Sequence, residues 1–200
     1  MTRIETVCSN RPRAGRAAWL RSLTALALVL ACALSMATRA HAQAVGLASF
    51  ELARNDDSVL LSFATRFELP RSVEDALQKG VPLHFVAEAD VYRSRWYWRD
   101  LRLARASRTW RLAWQPLTRT YRVSFGGLNQ NFETLADAMT ALRGVARWKI
   151  ADGGQLEEGA RHYVEFRYRL DTGQLPRPMQ IGLVGQSDWT LALEHSARID

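Results

Sequence analysis

Apolar side chains fall on every second position through much of this chain, and that period limits the possible folds more than any other feature. The clearest run is Val59, Leu61, Phe63, Thr65, Phe67 and Leu69, with Ser62, Arg66 and Glu68 between them. A period of two residues is that of a β-strand with one buried face, whereas an amphipathic helix has a period of about 3.6 residues. The chain is therefore predicted to consist mainly of strands.

Further runs alternate in the same way. Ala48, Phe50 and Leu52 precede the first run, and turn-forming residues at 54–58 separate the two, so they are predicted to pair as a hairpin. The other predicted strands are at residues 83–91, 110–114, 121–125, 162–170, 179–183 and 189–193. Between the later runs lie turn or extended sequences such as DGG and LPRP.

Two short helices are predicted between the strands. Ser72 with Asp75 is typical of a capping box before a helix over residues 73–79. Thr134 with Asp137 repeats the pattern before a second helix that ends at Gly144. The combination predicts a mainly β fold of the β-rich α+β kind, an antiparallel sandwich-like domain that carries two short helices.

The first 42 residues have the pattern of a secretory signal peptide. An arginine-rich start precedes an apolar run from Leu23 to about Leu34, and the segment closes with Ala40-His41-Ala42. We expect cleavage between Ala42 and Gln43, which leaves a single domain over residues 43–200 in the periplasm. The apolar run is short for a membrane span, which needs about 20 residues, and no span is expected in the mature chain.

Two alternatives to a cleaved signal peptide stay open. Residues 1–42 could remain attached as an amphipathic or membrane-anchoring helix. The sequence Val29-Leu30-Ala31-Cys32 also loosely resembles a lipoprotein processing box, in which case the protein would be anchored through Cys32.

Removal of residues 1–42 would change the charge of the protein. The whole chain has 27 basic and 20 acidic residues, a net charge of +7, but residues 43–200 hold 21 basic and 19 acidic residues. Nonspecific nucleic-acid binding requires neutralisation of many phosphates, so a nearly neutral domain is not predicted to bind nucleic acid. Both cysteines, Cys8 and Cys32, also lie in the first 42 residues, which excludes disulfides and cysteine metal ligands from the rest.

Residues 93–114 concentrate arginine and tryptophan, with seven arginines, four tryptophans and Asp100 as the only acid. Such interleaving is typical of stacking surfaces for single-stranded nucleic acid, but it also fits strands that bury tryptophan on one face and present arginine on the other. We favour strands with buried tryptophans, including Trp96 and Trp98. Because the alternation changes phase before Leu101, a bulge or bend is predicted near Asp100. The candidate binding residues are Arg95, Arg99, Arg102 and Arg111.

The sequence contains no recognised catalytic or metal-binding motif. The histidines after residue 42 are widely separated, and only His84 with Glu88 and Asp90 suggests a metal site, which an exposed acidic strand face explains as well. No Gly-x-Ser-x-Gly sequence occurs, and the adjacent acids at 56–57 and 157–158 fit solvated turns. The glycine-rich residues 126–132 match no phosphate-binding fingerprint and are predicted to form a loop held by Phe132. No catalytic residue, metal or cofactor is therefore predicted.

The segment LTRTYRVSFGGLNQNFETLADAMTAL, residues 117–142, resembles the central motif of a family of exported proteobacterial proteins called domain of unknown function 4390. Residues 95–100, the LPRP sequence at 175–178 and the SDW sequence at 187–189 also match, so the resemblance covers most of residues 47–193. It implies an exported β-rich domain and supplies neither an activity nor catalytic residues.

These observations favour an exported periplasmic protein that acts as a non-enzymatic interaction or accessory module. Its expected partner is an envelope protein or an anionic envelope component, contacted through the arginines. One alternative is a periplasmic carrier that holds a small apolar ligand between sheet and helix, and another is a hydrolase.

Overall fold

The computed structural model describes residues 45–182 and 187–199. The predicted signal peptide, with Ala40, Ala42, Gln43 and the alternative anchor Cys32, lies outside the described residues. The elements, in chain order, are β1 (Gly46–Arg54), β2 (Ser58–Arg66), α1 (Arg71–Gln78), β3 (Leu83–Arg93), β4 (Leu101–Gln115), β5 (Thr120–Phe125), β6 (Leu128–Phe132), α2 (Leu135–Leu142), β7 (Gly144–Asp152), β8 (His162–Leu170), α3 (Arg177–Gly182) and β9 (Ala192–Ile199).

The strands form two sheets in which every neighbouring pair is antiparallel. The smaller sheet has the order β1-β2-β7, and the larger has the order β6-β5-β4-β3-β8-β9. The predicted fold, a β-rich antiparallel sandwich-like domain with two short helices, is confirmed, and α1 and α2 are those helices.

The inner faces of the two sheets share an apolar core. Phe63 of β2 packs against Phe166 and Tyr168 of β8, with ring centroids 4.6 and 6.1 Å away. The Tyr168 hydroxyl donates a hydrogen bond of 3.1 Å to the carbonyl of Leu142, at the end of α2. The polar end of this buried ring therefore has a partner, and the core joins both sheets to α2.

The predicted hairpin at the start of the domain is confirmed. Phe50 of β1 lies opposite Phe63 of β2, and Leu52 lies opposite Leu61. The side-chain oxygen of Asn55 accepts hydrogen bonds from the backbone N–H and the hydroxyl of Ser58, at 2.7 and 2.9 Å, which fixes the turn.

The glycine-rich residues 126–132 are not the predicted loop. They form the turn and the second strand of a hairpin with β5. Gly126 and Gly127 have φ of +52° and +85°, which a two-residue turn of this kind requires, and β6 follows them. Asn129 and Asn131 accept hydrogen bonds across the pair from the Ser124 hydroxyl and the Arg122 guanidinium, at 2.6 and 3.0 Å. The strand was missed because its centre is polar and has no apolar alternation.

β7 was also missed, because its alternation is broken by an irregularity. Val145 lies opposite Phe63 and Trp148 lies opposite Leu61, so two core positions are three residues apart instead of two. Arg147, between them, has a φ of +51°. With the extra residue, the Trp148 side chain faces the core. The apolar residues of β7 therefore do not recur at every second position.

The predicted strand at 179–183 is wrong, because its described residues are helical, and the predicted strand at 189–193 is wrong in its extent. Residues 177–182 form α3, where the backbone N–H of Met179 donates to the carbonyl of Pro176 at 2.9 Å. Prolines suggested an extended segment, but proline is also tolerated in the first turn of a helix. Trp189 ends a short 3₁₀ turn, and the final strand, β9, begins only at Ala192.

The two predicted helix caps have different outcomes. The Thr134 hydroxyl oxygen accepts a hydrogen bond of 3.2 Å from the backbone N–H of Asp137, which confirms the cap of α2. The capping box predicted at Ser72 is wrong, because α1 begins at Arg71 after Pro70. Ser72 is inside the first turn, and its hydroxyl donates instead to Asp188 at 3.2 Å.

Candidate functional site

Trp96 and Trp98 are on the surface, and their predicted burial is wrong. β3 ends at Arg93 and β4 begins at Leu101, so residues 94–100, here called the aromatic loop, connect the two strands. The exposed fractions of Trp96, Tyr97 and Trp98 are 88%, 70% and 71%. The prediction holds for Trp110, which is buried on the inner face with 4% exposure.

The aromatic loop is tied to the domain at its two ends. The Asp100 carboxylate accepts hydrogen bonds from the backbone N–H of Arg95 at 3.0 Å and from the Tyr163 hydroxyl at 2.7 Å. These two bonds lower the pKa of Asp100, and burial together with Asp100 raises the pKa of Tyr163. The backbone N–H of Ser94 donates to the carbonyl of Arg161 at 2.9 Å. The loop is therefore fixed at its base while its aromatic tip is in solvent.

The predicted bulge is three residues beyond Asp100. Tyr92 lies opposite Arg102 and Val91 lies opposite Ala104, so Leu103 is the extra residue of β4. Without it, Arg102 and Arg111 would be on opposite faces, because they are nine residues apart. With it, both are on the solvent side of the six-stranded sheet, called the outer face.

The outer face is polar and charged. Its charged side chains in the described residues are Arg102, Arg105, Arg111, Arg122, Arg167, Arg169 and Arg198, together with Glu88, Asp90, Glu165 and Glu194. Glu88 is paired with Arg105 at 3.0 Å and with Arg169 at 3.6 Å. For Arg111, by contrast, no carboxylate within 4 Å is found in the described part of the chain.

Asp90 is the most buried acid of the outer face, with 4% exposure. The guanidinium groups of Arg102 and Arg105 are 3.8 and 3.7 Å from its Oδ1, which has no hydrogen-bond partner among the residues that the structure describes. A buried carboxylate without counter-charges is costly, so these two arginines are positioned in part by Asp90. The positive charge of Arg102 is therefore partly balanced by Asp90 and is less available to a binding partner.

Arg108 departs from the predicted division between an inner tryptophan face and an outer arginine face. It lies opposite Ala87 and faces inward. Its guanidinium is 5.0 Å from the ring centroid of Phe125 and 5.3 Å from that of Trp148, which are cation–π distances. Burial lowers the pKa of this guanidinium. Arg108 thereby connects the six-stranded sheet to β7 of the smaller sheet.

The four predicted binding arginines are divided between two adjoining surfaces. Arg95 and Arg99 belong to the aromatic loop, and Arg102 is the first outer-face residue beside it. Arg111 is farther along β4, toward its opposite end. The predicted binding residues, which the sequence analysis treated as one surface, therefore lie on two.

A cleft of about 730 Å³ lies beside the aromatic loop. Its lining consists of residues 93–98 with Glu157 and residues 159–161. Glu157 forms an ion pair with Arg93, which lies at the end of β3. Arg95 and Arg161 are the lining cations without a carboxylate within 4 Å in the described residues, so the cleft offers positive charge next to the aromatic rings.

The metal site that the sequence suggested at His84, Glu88 and Asp90 is not formed in the described residues. His84 is on the strand that carries Glu88 and Asp90, and burial followed by Arg111 lowers its pKa, but Glu88 is held by arginines. Within residues 45–182 and 187–199, no group of three or more histidine, cysteine or acidic side chains is arranged to hold a metal ion. The same residues contain no helix that is both long and apolar enough to cross a membrane.

The site residues that the sequence missed are the aromatic ones. Trp96, Tyr97 and Trp98 were assigned to the core because buried aromatic residues are common in strands. The available signal was the change of phase between Trp96–Trp98 and Leu101–Leu103, which marked a strand boundary as well as a bulge.

A family model described as Domain of unknown function (DUF4390) matches residues 42–198, which include the aromatic loop, the outer face and the segment at 117–142. No curated protein and no solved structure matches the chain.

Proposed function

Because the chain belongs to the domain of unknown function 4390 family, for which the match names no activity, we propose a function from its own surfaces. The protein is an exported, non-enzymatic interaction module of the cell envelope, and it binds an envelope component through the aromatic loop and the neighbouring arginines. Export to the periplasm is supported by the signal-peptide pattern of residues 1–42.

The observation that carries the proposal is the exposure of three consecutive aromatic side chains between Arg95 and Arg99. Tryptophan, tyrosine and arginine are the residues that contribute most to binding in protein interfaces. Three large aromatic rings in water do not stabilise a loop that only connects two strands. In a binding loop, the same rings bury apolar area on contact with a partner, and that burial favours binding. The hydrogen bonds of Asp100 keep the loop ordered, which lowers the entropic cost of binding.

Neither alternative gains a specific observation. The cleft beside the loop is lined by three aromatic rings but also by the charged side chains of Arg93, Arg95, Glu157 and Arg161, so it is not the mainly apolar pocket that a carrier of a small apolar ligand needs. A hydrolase needs a nucleophile beside a base or a pair of facing carboxylates, and Glu157 is occupied by Arg93. Both alternatives stay predictions.

The first experiment is site-specific photocrosslinking in cells that express the full-length gene. A photoreactive residue at Tyr97 is expected to give a discrete adduct, identified by mass spectrometry. The matched control is the same residue at Leu117, which is fully exposed in the β4–β5 turn at the other end of β4. Adducts at Leu117 equal to those at Tyr97, or none at either position, would contradict the proposal.

Charge reversal tests the arginines in the same assay. The triple variant Arg99→Glu, Arg102→Glu and Arg111→Glu is expected to reduce the adduct yield at Tyr97 and to remove its dependence on salt, because charge complementarity is screened by ions. Unchanged yield and salt dependence would exclude the arginines from the site. The N-terminal residue of the recovered protein is measured in the same samples, and Gln43 is the expected result.

A further inference from the structure

We propose that the aromatic loop is a membrane-interface anchor, which places Trp96, Tyr97 and Trp98 in the head-group region of a bilayer that contains anionic phospholipids. This inference rests on the proposed function for the presence of the protein at the envelope. It deepens that function by identifying the envelope component as a lipid surface.

The composition of the loop tip fits the boundary between lipid and water. Tryptophan and tyrosine concentrate at membrane interfaces because their rings are apolar while the indole N–H or phenol O–H stays among polar groups. Trp96 and Tyr97 are already in edge-to-face contact, with centroids 4.7 Å apart. Leu101, at the start of β4, is also exposed.

The dimensions of the loop favour a bilayer over a protein partner. A stable protein interface buries about 800 Å² on each side and uses about 20–30 residues. The aromatic loop comprises residues 94–100 only, and the outer face behind it is occupied by paired charges such as Arg105 with Glu88. A bilayer adapts to the shape of the inserted tip, so a few aromatic side chains are enough for reversible binding.

The charges around the loop fit an anionic head group. Arg95 and Arg99 stand on either side of the three rings, and Arg161 lines the adjoining cleft. The two carboxylates that border the loop are already engaged, since Asp100 accepts two hydrogen bonds and Glu157 pairs with Arg93. Basic residues near an anionic bilayer surface strengthen binding in a salt-dependent way, and guanidinium groups bind phosphate with good geometry.

The test uses protein expressed from its full-length gene and purified as the cell processes it. The probes are phosphatidylcholine vesicles with and without phosphatidylglycerol. We expect the protein to sediment with the phosphatidylglycerol vesicles and its tryptophan emission to shift to shorter wavelength. Replacement of one exposed ring, Trp96→Ala or Trp98→Ala, should lower the partition coefficient by on the order of tenfold, which corresponds to about 1.4 kcal/mol. Arg99→Glu should abolish the preference for phosphatidylglycerol.

The β4–β5 turn supplies matched controls, because it has an exposed leucine and an exposed arginine at the other end of β4. Leu117→Ala and Arg119→Glu are expected to bind like the unmodified protein. Circular dichroism of every variant checks that it is folded, and substitutions at exposed loop positions leave the core intact.

Two results would overturn the lipid anchor. One is the absence of binding of the unmodified protein to phosphatidylglycerol vesicles, and the other is equal binding by Trp96→Ala and Trp98→Ala. If the photocrosslinker at Tyr97 nevertheless captures one envelope protein, the proposed function stands and the partner is that protein. If neither vesicles nor crosslinks respond to the loop, both proposals fail.

Discussion

Gly153 and Gly154 are neighbours with opposite surroundings. Gly153 is buried against the β1–β2 turn, and its N–H donates to the carbonyl of Asp57 at 3.0 Å. A methyl group on Gly153 would overlap the backbone of Asp56, whereas one on Gly154 would meet open space. The turn can therefore approach the end of β7 only because residue 153 has no side chain.

This contrast gives a matched pair of substitutions. Gly153→Ala is expected to lower the free energy of unfolding by about 1–3 kcal/mol, since the backbone at residue 56 would have to move. Gly154→Ala is expected to change it by less than about 0.5 kcal/mol. Urea denaturation measures both, and equal effects would show that the close approach is not what limits residue 153.

The histidines predict a dependence of stability on pH. Burial is the main cause that lowers the pKa of both His162 and His84, and the positive charges of Arg54 and Arg111 add to it respectively. The folded protein therefore favours neutral histidine. Above the ordinary histidine pKa of about 6.5 neither state is charged and stability is unaffected. As the pH falls below that value the unfolded chain takes up protons first, so stability decreases until the lowered pKa of the folded state is reached.

The measurement is the free energy of unfolding between about pH 5 and pH 7.5, a range above the ordinary carboxylate pKa values. Stability is expected to fall toward pH 5, and His162→Gln should make the slope shallower. Leu128→Ala, which removes an exposed and non-titratable side chain of β6, supplies the control, since it should leave the slope unchanged. A slope that is flat for the unmodified protein would contradict the lowered pKa values.

The two helices differ in how their first turns are held. In α2 the Thr134 hydroxyl accepts from the Asp137 N–H and donates to its carboxylate at 2.6 Å, whereas α1 has no side-chain cap. Thr134→Ala should therefore cost about 1 kcal/mol of stability. Ser72→Ala should cost less than about 0.5 kcal/mol, because only an exposed hydrogen bond to Asp188 is lost. Thermal unfolding compares the two variants, and a larger loss for Ser72→Ala would reverse the assignment of the caps.

At the level of elements, the sequence predicted those that have a regular period. The hairpin of β1 with β2 and the strands β3, β5 and β8 follow the alternation of apolar residues, which is set by the local backbone. β7 was not predicted because an extra residue before Trp148 breaks its alternation. β6 was not predicted because it is stabilised by cross-strand hydrogen bonds of Asn129 and Asn131 instead of by apolar alternation. α3 was not predicted because a proline such as Pro176 occurs at the start of a helix as well as in an extended linker. In each case the deciding interaction is outside the local pattern.

The arginines of the candidate site were predictable from the sequence, but its exposed aromatic residues and its geometry were not. The concentration of arginine along residues 93–111 is visible in the sequence, and so is a change of phase near Asp100. Whether that change is a bulge, a loop or both depends on where β3 stops pairing, which is decided by Tyr163 of β8 and by Arg161 just before that strand. The tryptophans at 96 and 98 consequently could not be separated from the buried Trp110 by composition alone.

For the whole molecule, the shared core predicts that both sheets unfold together. Phe63 belongs to the smaller sheet but packs on Phe166 and Tyr168 of the larger one. Phe63→Ala is expected to cost about 3–5 kcal/mol and to leave a single transition. Far-ultraviolet and near-ultraviolet circular dichroism should give coincident curves. The control is Leu128→Ala, whose side chain is exposed in β6, and two separated transitions in either protein would contradict one shared core.

The central position of β3 in the larger sheet determines the order in which the sheet can be completed. β4 follows β3 directly in the chain, but β8, on its other side, is separated from it by β4 to β7, so that Arg93 pairs with the distant His162. Such long-range pairing folds slowly, because the intervening chain must be ordered first. In the proposed export from the N-terminus, β3 would reach the far side of the membrane with one edge open until β8 follows, and an open edge invites aggregation. We therefore expect the newly translocated chain to depend on a holdase chaperone until its last two strands arrive.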